Sequence, residues 1–227
     1  MKKSSICVSI FCMMVTLLSF PAFAERRYSI EDEGIFAETL LVNLENRLPY
    51  DFEPEDLIVP EVLRPKDKKE RRVYLRPEAA KALEDLFAAA KEEGYTLYAI
   101  SGYRSYYEQR MLFEEKVELV GEKRAMKIIA KQGSSEHQLG LVMDINGETT
   151  LKDGLVESFG ESDEGKWVAS NAYRFGFIIR YPKDKTDITG IQWEPWHLRY
   201  VGKKAAVEIY TLDTTLEEYH ELYSNQK

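Results

Sequence analysis

Hydrophobic positions recur along this chain first at helical spacing and then in alternation with polar ones. After Pro77, which suits a first helical turn, apolar residues mark one helical face until Gly94 suits a C-terminal stop. Residues 95–101 then alternate as a strand does. We predict further helices over 106–119, 122–131, 166–175 and 215–223, a short strand over 141–146, and extended segments over 177–181 and 191–200. Since helices cluster early and strands come between and after them, we predict an α+β fold.

Three stretches lack such a pattern. Residues 25–35 are polar and charged, so we expect a loose N-terminal lead-in over 25–40. Residues 49–72 combine four prolines with many charges, which indicates an extended, irregular arm. Residues 133–140 predict a loop. About 200 residues can bury a core of their own, so we expect a single domain over 41–227.

Residues 1–24 have the features of an export signal. Two lysines form a positive start, 6–18 is apolar and uncharged, and Pro21 precedes a small-residue cleavage pattern over 22–24. We therefore expect this segment to be cleaved and the protein to be exported, outside the cell, in the wall or in the periplasm.

An uncleaved signal would instead serve as a membrane anchor, because residues 4–24 are long enough to span a bilayer. No other stretch of the sequence is long and apolar enough, so we expect no stable membrane insertion after cleavage. Both cysteines, Cys7 and Cys12, lie in the signal. The mature protein would then depend on its core rather than on disulfides.

The charge balance is acidic. The net charge is −8, and cleavage would make it −10 because the signal carries two lysines and no acidic residue. This argues against nucleic acid or an anionic membrane as the main partner, and an anionic substrate would need a local positive group. Arg104 follows a predicted strand at a junction rich in Gly, Ser and Tyr, where an arginine can clamp a carboxylate. The alternative for Arg104 is a solvated surface position.

Two of the three histidines are each accompanied by a carboxylate. His137 is followed by Asp144, and Glu194 precedes His197. A catalytic zinc ion usually takes three protein ligands, keeps a position for water and has a basic carboxylate nearby. These four residues are sufficient to build such a site.

The spacing of these residues constrains where they lie. His137 and Asp144 are seven apart, which would put them on opposite faces of one strand, so we place His137 in the loop and Asp144 on the strand that follows. A metal or an arginine partner would each explain an acid in so apolar a strand. Pro195 disfavours a helix between Glu194 and His197, so we expect a bulge or bend that brings both toward one point.

Other assignments remain open for single residues. Taken alone, His197 is typical of a packed core histidine and Glu194 of a salt bridge. We expect Glu136 to be solvated, and His220, in the polar C-terminal helix, to be a surface residue.

Taken together, the segments resemble the VanY-type D-alanyl-D-alanine carboxypeptidases, zinc peptidases of bacterial cell-wall metabolism. The family pattern S-x-H-x-x-G-x-x-x-D is matched over 135–144, and E-x-W-H over 194–197. Further matching segments lie at 101–105 with Gln109, at 176–182 and at 189–202. The resemblance extends from about residue 40 to about residue 210 and implies a small antiparallel sheet flanked by helices.

The resemblance also implies a role for each motif residue. His137, Asp144 and His197 would bind Zn²⁺, and Glu194 would be the general base. Arg104 would steady the substrate and the oxyanion.

Two further residues, Gln109 and Ser135, match positions near the substrate. The reaction would release the terminal D-alanine from peptidoglycan stem peptides, and we expect a monomer. There are two alternatives. One is an L,D-carboxypeptidase that acts on tetrapeptide stems, and the other is a non-catalytic wall-binding domain that keeps its zinc for structure. Glu194 argues against the second, because binding alone needs no base.

Overall fold

A computed structural model of the protein describes residues 26–27, 37–66 and 73–224. The predicted export signal lies outside these ranges, as does most of the predicted lead-in. Within the described ranges, no helix has both the length and the apolar composition needed to cross a membrane.

The described residues form six strands and seven α-helices. The strands are β1 (Arg26–Arg27), β2 (Asn46–Arg47), β3 (Leu97–Ser101), β4 (Val142–Gly147), β5 (Phe177–Tyr181) and β6 (Glu194–Tyr200). The helices are α1 (Pro77–Glu92), α2 (Tyr106–Val120), α3 (Glu122–Ile128), α4 (Asp163–Asn171), α5 (Thr186–Thr189), α6 (Lys203–Leu212) and α7 (Leu216–Ser224). A short 3-10 helix, Glu136–Leu139, occupies the predicted loop before β4. The α+β prediction is confirmed.

Four strands form one antiparallel sheet in the order β3-β4-β6-β5. At its centre, Asp144 of β4 lies directly opposite His197 of β6. Directly opposed residues on neighbouring strands project from the same face of a sheet. The register therefore places two predicted metal ligands side by side.

The main core lies against one face of this sheet. Met143 and Ile145 of β4 and Leu198 of β6 are fully buried there, in one cluster with Leu83 and Leu86 of α1. Successive strand residues point to opposite faces, so Asp144 projects away from this core. A second buried cluster, centred on Ala206 of α6 with Ile178, Val201, Ile209 and Leu216, covers the sheet near β5.

Local sequence signals explain where two of the helices, α2 and α7, begin. In α2, the Ser105 hydroxyl accepts a hydrogen bond from the backbone N–H of Glu108 at 3.3 Å, and the Glu108 carboxylate accepts one from the backbone N–H of Ser105 at 2.9 Å. The same reciprocal capping box joins Thr215 and Glu218 at the start of α7, as their spacing predicted. Each pair satisfies backbone donors that a helix start would otherwise leave unpaired.

Helix α6 was missed by the sequence patterns described above. Its buried residues Ala205, Ala206 and Ile209 do recur at helical spacing, directly after Gly202. The predicted arm is irregular where it is described, and a single bridge between Ile58 and Leu75 ties it to the segment before α1.

Candidate functional site

Three side chains from three elements converge in the structure. His137 lies in the 3-10 helix, Asp144 in β4 and His197 in β6, and one potential ligand atom from each lies within 4.8 Å of the others. All three are buried, with 2 to 4% of their surface exposed. Among the described residues, no other three histidine, cysteine or carboxylate side chains bring their ligand atoms this close together. Asp144 lies on a strand, as predicted, whereas the predicted loop around His137 contains a short 3-10 helix.

The orientation of His137 is determined by a backbone carbonyl. Its Nδ1 lies 2.7 Å from the carbonyl oxygen of Gly102, which can only accept, so Nδ1 carries the proton. Nε2 therefore holds a lone pair, and it faces Asp144 Oδ2 at 3.3 Å. Gly102 itself lies close to the segment before α1, where only a glycine fits: a Cβ there would lie 2.5 Å from the backbone oxygen of Tyr74.

A sheet irregularity brings His197 and Glu194 together. Ile179 pairs with Leu198 and Tyr181 with Glu194, so β6 uses more residues than β5 over the same stretch. This extra length lets residues three apart turn toward one point, and Glu194 Oε2 lies 3.6 Å from His197 Nδ1. The predicted bulge or bend is confirmed.

The donor set suits a divalent cation. His137 Nε2 and Asp144 Oδ1 are buried and make no hydrogen bond, although buried polar atoms are normally paired. His197 Nδ1 lies 3.2 Å from the same Asp144 oxygen. Two imidazole nitrogens and a carboxylate that point at one another, with His137 Nε2 and Asp144 Oδ1 left unpaired, are the arrangement that a bound Zn²⁺ would satisfy.

The electrostatics of the metal-free site agree with this assignment. Burial opposes the ionisation of Asp144, but His137 and His197 outweigh it and hold the pKa of this carboxyl well below its ordinary value. Burial and Arg104 lower the pKa of His137 to about 4, so this ring is neutral at pH 7. Burial opposes a charge on His197 too, but contacts with Asp144 and Glu136 raise its pKa to about 9. A metal that binds His197 must therefore displace a proton.

Glu194 has the electrostatics of a proton carrier. Burial raises its pKa to about 8; His197 and Arg104 oppose this rise, and Asp144 adds to it. The residue is 8% exposed and is close to the metal-ligand group without belonging to it. A carboxyl whose proton affinity lies near neutral pH suits general acid-base chemistry.

The site opens into a cavity of about 220 Å³. Its walls include all seven residues singled out from the sequence: Arg104, Gln109, Ser135, His137, Asp144, Glu194 and His197. Arg104 is partly exposed and its Nη2 lies 3.6 Å from Asp144 Oδ2. Gln109 is buried and donates from Nε2 to the carbonyl oxygen of Ala130 at 2.7 Å.

The two aromatic residues of the cavity wall were not identified as site residues from the sequence. Tyr181 is buried with its ring centroid 4.9 Å from that of His197, and Trp196 lines the same cavity. Both lie in or beside motifs matched above, but an aromatic residue in a strand is more often part of a core. Only the tertiary structure shows that both of them face the cavity.

The expectation that Glu136 is solvated is wrong. Its side chain has no exposed surface and lies against two buried arginines, Arg180 and Arg199. Charged residues in otherwise apolar strands were a signal for this pairing, because a buried charge needs a partner. His220 is only partly exposed, and its Nε2 contacts the backbone oxygen of Thr39.

The fold and the site define an α+β domain with a buried candidate metal centre: two histidines and an aspartate share one point, with a glutamate and an arginine beside them. The family model described as VanY, D-alanyl-D-alanine carboxypeptidase, matches residues 72–203. The chain belongs to this family.

Known proteins support the same assignment. The D-alanyl-D-alanine carboxypeptidase of Enterococcus faecalis (strain ATCC 700802 / V583) is 41% identical over 191 residues, which are 79% of this chain and 64% of that protein. The chain spans just under two thirds of the length of the first curated relatives it matches, 66% and 64%.

Solved structures agree in fold. The LdcB LD-carboxypeptidase superposes with a TM-score of 0.75 at 53% identity, covering 80% of this chain and 84% of that one. A mutant of the vancomycin resistance D,D-pentapeptidase VanY in complex with Zn(II) gives a TM-score of 0.64 at 36% identity, covering 81% and 98%.

Proposed function

We propose that this protein is a zinc-dependent D,D-carboxypeptidase that releases the terminal D-alanine from peptidoglycan stem peptides. The observation that carries the proposal is the convergence of His137, Asp144 and His197, with Glu194 Oε2 3.6 Å from His197 Nδ1. A site that only held a structural metal would need no buried carboxylate beside its ligands.

Zinc would be held by His137 Nε2, Asp144 and His197 Nδ1. When bound, it supplies Lewis-acid polarisation of the amide carbonyl and makes water a usable nucleophile near neutral pH. The protein provides neutral His137 and ionised Asp144 for this purpose, since their pKa values lie below neutrality.

Glu194 moves the proton. As the oxygen of water bonds to the amide carbon, the Glu194 carboxylate accepts the proton that this water loses. When the carbon–nitrogen bond breaks, Glu194 donates the proton to the leaving amine of D-alanine, and the carboxylate is restored. A cation beside Glu194 favours the ionised form that this role requires, because it opposes the effect of burial.

Arg104 would stabilise negative charge on the substrate. Its guanidinium lies at the cavity wall, 3.6 Å from Asp144 Oδ2, where it can reach the terminal carboxylate of a stem peptide or the oxyanion. Gln109 and Ser135 line the same cavity and would contact the substrate. In a chain of net charge −8, such a local positive group is needed for an anionic substrate.

A second candidate function differs in the length of the stem peptide that the protein would cleave. The LdcB LD-carboxypeptidase is 53% identical, compared with 36% for the D,D-pentapeptidase VanY structure. This difference favours an L,D-carboxypeptidase that trims tetrapeptide stems. Both activities use the same metal site and release D-alanine, so the pocket beyond the site decides between them.

Export completes the proposal. A substrate in the cell wall requires an enzyme on the outer side of the membrane, which agrees with the signal pattern of residues 1–24. We propose a monomer that acts there without inserting into the membrane.

Product analysis on defined stem peptides tests the proposal. The purified protein would be incubated with pentapeptide and tetrapeptide stems, with and without a chelator, and with Glu194→Gln as a matched control. We expect chelator-sensitive release of D-alanine from the pentapeptide. Release from the tetrapeptide alone would establish the L,D alternative, and no release from either by zinc-loaded protein would refute a carboxypeptidase.

A further inference from the structure

A buried charged network lies directly behind the candidate metal site. Glu136 Oε1 accepts hydrogen bonds from Arg180 Nε at 2.7 Å and from Arg199 Nη1 at 2.8 Å. All three residues are at most 1% exposed. Replacing buried ion pairs with apolar residues is often neutral or stabilising, so such a network calls for a reason beyond stability.

The second oxygen of the same carboxylate faces a predicted metal ligand. Glu136 Oε2 lies 3.7 Å from His197 Nε2. Both atoms are buried, and neither makes a hydrogen bond. The other ring nitrogen, Nδ1, faces Asp144 at 3.2 Å on the cavity side. The His197 ring therefore lies between the candidate metal site and Glu136.

We propose that Glu136 is a positioning residue that accepts a hydrogen bond from His197 Nε2–H and so presents the lone pair of Nδ1 to the metal. The inference rests on the proposed zinc site. Histidine ligands commonly donate their other N–H to a carboxylate or a carbonyl, which fixes the tautomer and the ring orientation. His137 uses the carbonyl of Gly102 in this way, and Glu136 would do the same for His197.

The distance fits this role after a small adjustment. An N–H···O hydrogen bond spans about 2.7–3.2 Å, so the two atoms must approach by less than about 1 Å. Glu136 cannot turn away instead, because its Oε1 is bound by both arginines.

The arginines are themselves fixed by other partners. Arg180 donates to the Glu217 carboxylate of α7 at 2.7 and 3.1 Å. Arg199 donates from Nη2 to the backbone oxygens of Glu38 at 2.9 Å and Leu40 at 3.0 Å. The carboxylate of Glu136 is thus held from two sides while Oε2 remains directed at His197.

A purely structural ion cluster is the competing explanation, and Glu136→Gln separates the two. Glutamine has the same shape and its amide oxygen can still accept from both arginines. Its NH₂ group would then face His197 Nε2 and, being a donor, would favour the tautomer with the proton on Nδ1. That tautomer cannot offer Nδ1 to a metal.

The test is zinc affinity of the full-length protein, measured by competition with a chromophoric chelator. We expect Glu136→Gln to bind zinc about 10- to 100-fold more weakly than the wild type, in line with other lost partners of metal-binding histidines. Glu217→Gln is the matched control, because it removes a charge from the same network without touching His197. It should lower the unfolding temperature and keep zinc affinity close to that of the wild type.

Nitrogen-15 NMR of histidine in the zinc-loaded wild type gives a second readout that does not depend on the variant folding. We expect a proton on His197 Nε2 with slow solvent exchange. A proton on Nδ1, or equal zinc affinity of wild type and Glu136→Gln, would overturn this inference alone. Failure of the wild type to bind zinc would overturn the proposed function and this inference together.

Discussion

In the metal-free protein, Glu194→Gln should gain stability relative to the wild type as the pH rises. In the metal-free fold, burial raises the pKa of Glu194 from the ordinary 4.5 to about 8. Below pH 4.5, the folded and unfolded chains both hold this proton, so the group has little effect on stability. Between pH 4.5 and 8 the unfolded chain loses the proton first, and folding stability falls as pH rises. Glutamine does not ionise, so the variant avoids this loss.

The size of the effect follows from the two pKa values. Each tenfold change in proton affinity is worth about 1.4 kcal/mol, so ionising Glu194 costs the folded chain roughly 3–5 kcal/mol more than the unfolded chain. We therefore expect the difference in unfolding free energy between variant and wild type to grow by about that amount from pH 4.5 to 8.

Urea denaturation in the presence of a chelator, followed by tryptophan fluorescence at several pH values, measures this difference. Comparison with the wild type cancels most of the contributions of other titrating groups. Glu92→Gln, at the exposed end of α1, controls for the removal of one negative charge from an acidic chain. A difference for Glu194→Gln that stays constant across this pH range, or that shrinks as pH rises, would refute the reasoning.

Further predictions concern the metal-loaded enzyme and its scaffold. With zinc bound, Glu194→Gln should keep its metal, as measured by elemental analysis, and lose at least about 100-fold in kcat on stem peptides, because the general base is gone; full activity would exclude that role. His137→Ala and His197→Ala should both lower zinc content, and normal content in both would remove them as ligands. Arg104→Gln should lower kcat/KM by about 100- to 1,000-fold if its charge stabilises the transition state, and an unchanged value in steady-state assays would contradict that role. Gly102→Ala should lower unfolding free energy by about 1–3 kcal/mol in urea titrations, because a Cβ would lie 2.5 Å from a backbone oxygen, and wild-type stability would show that the backbone yields.

Local signals determined much of the fold. Alternation over 95–101 and short extended segments elsewhere located the four strands of the main sheet. Ser105 and Thr215 mark helix starts because their hydroxyls cap their own backbones. Because these signals involve only residues close together in the chain, they can be identified from the sequence alone. Helix α6 was missed although Ala205 and Ile209 show helical spacing, because its apolar residues matter only once a second cluster exists to bury them.

The candidate chemistry was likewise accessible from the sequence, through residue types and ordered motifs. Two histidines, each with a carboxylate at short spacing, are sufficient to build a catalytic zinc site, and so they indicated this kind of chemistry. Periodicity also separated Asp144 from its apolar neighbours in β4. The geometry that joins these residues depends on contacts between distant segments, which no short window contains.

The tertiary structure alone decided how the parts combine. The register of β4 and β6 places Asp144 opposite His197, and the extra length of β6 near Tyr181 turns Glu194 toward the same point. Glu136 looked like a surface residue because a glutamate is usually solvated, and only the packing of two buried arginines against it reverses that expectation. The physical reason is the same throughout: residue type sets which interactions a side chain can make, but burial and distance, which the whole fold creates, determine which of them form.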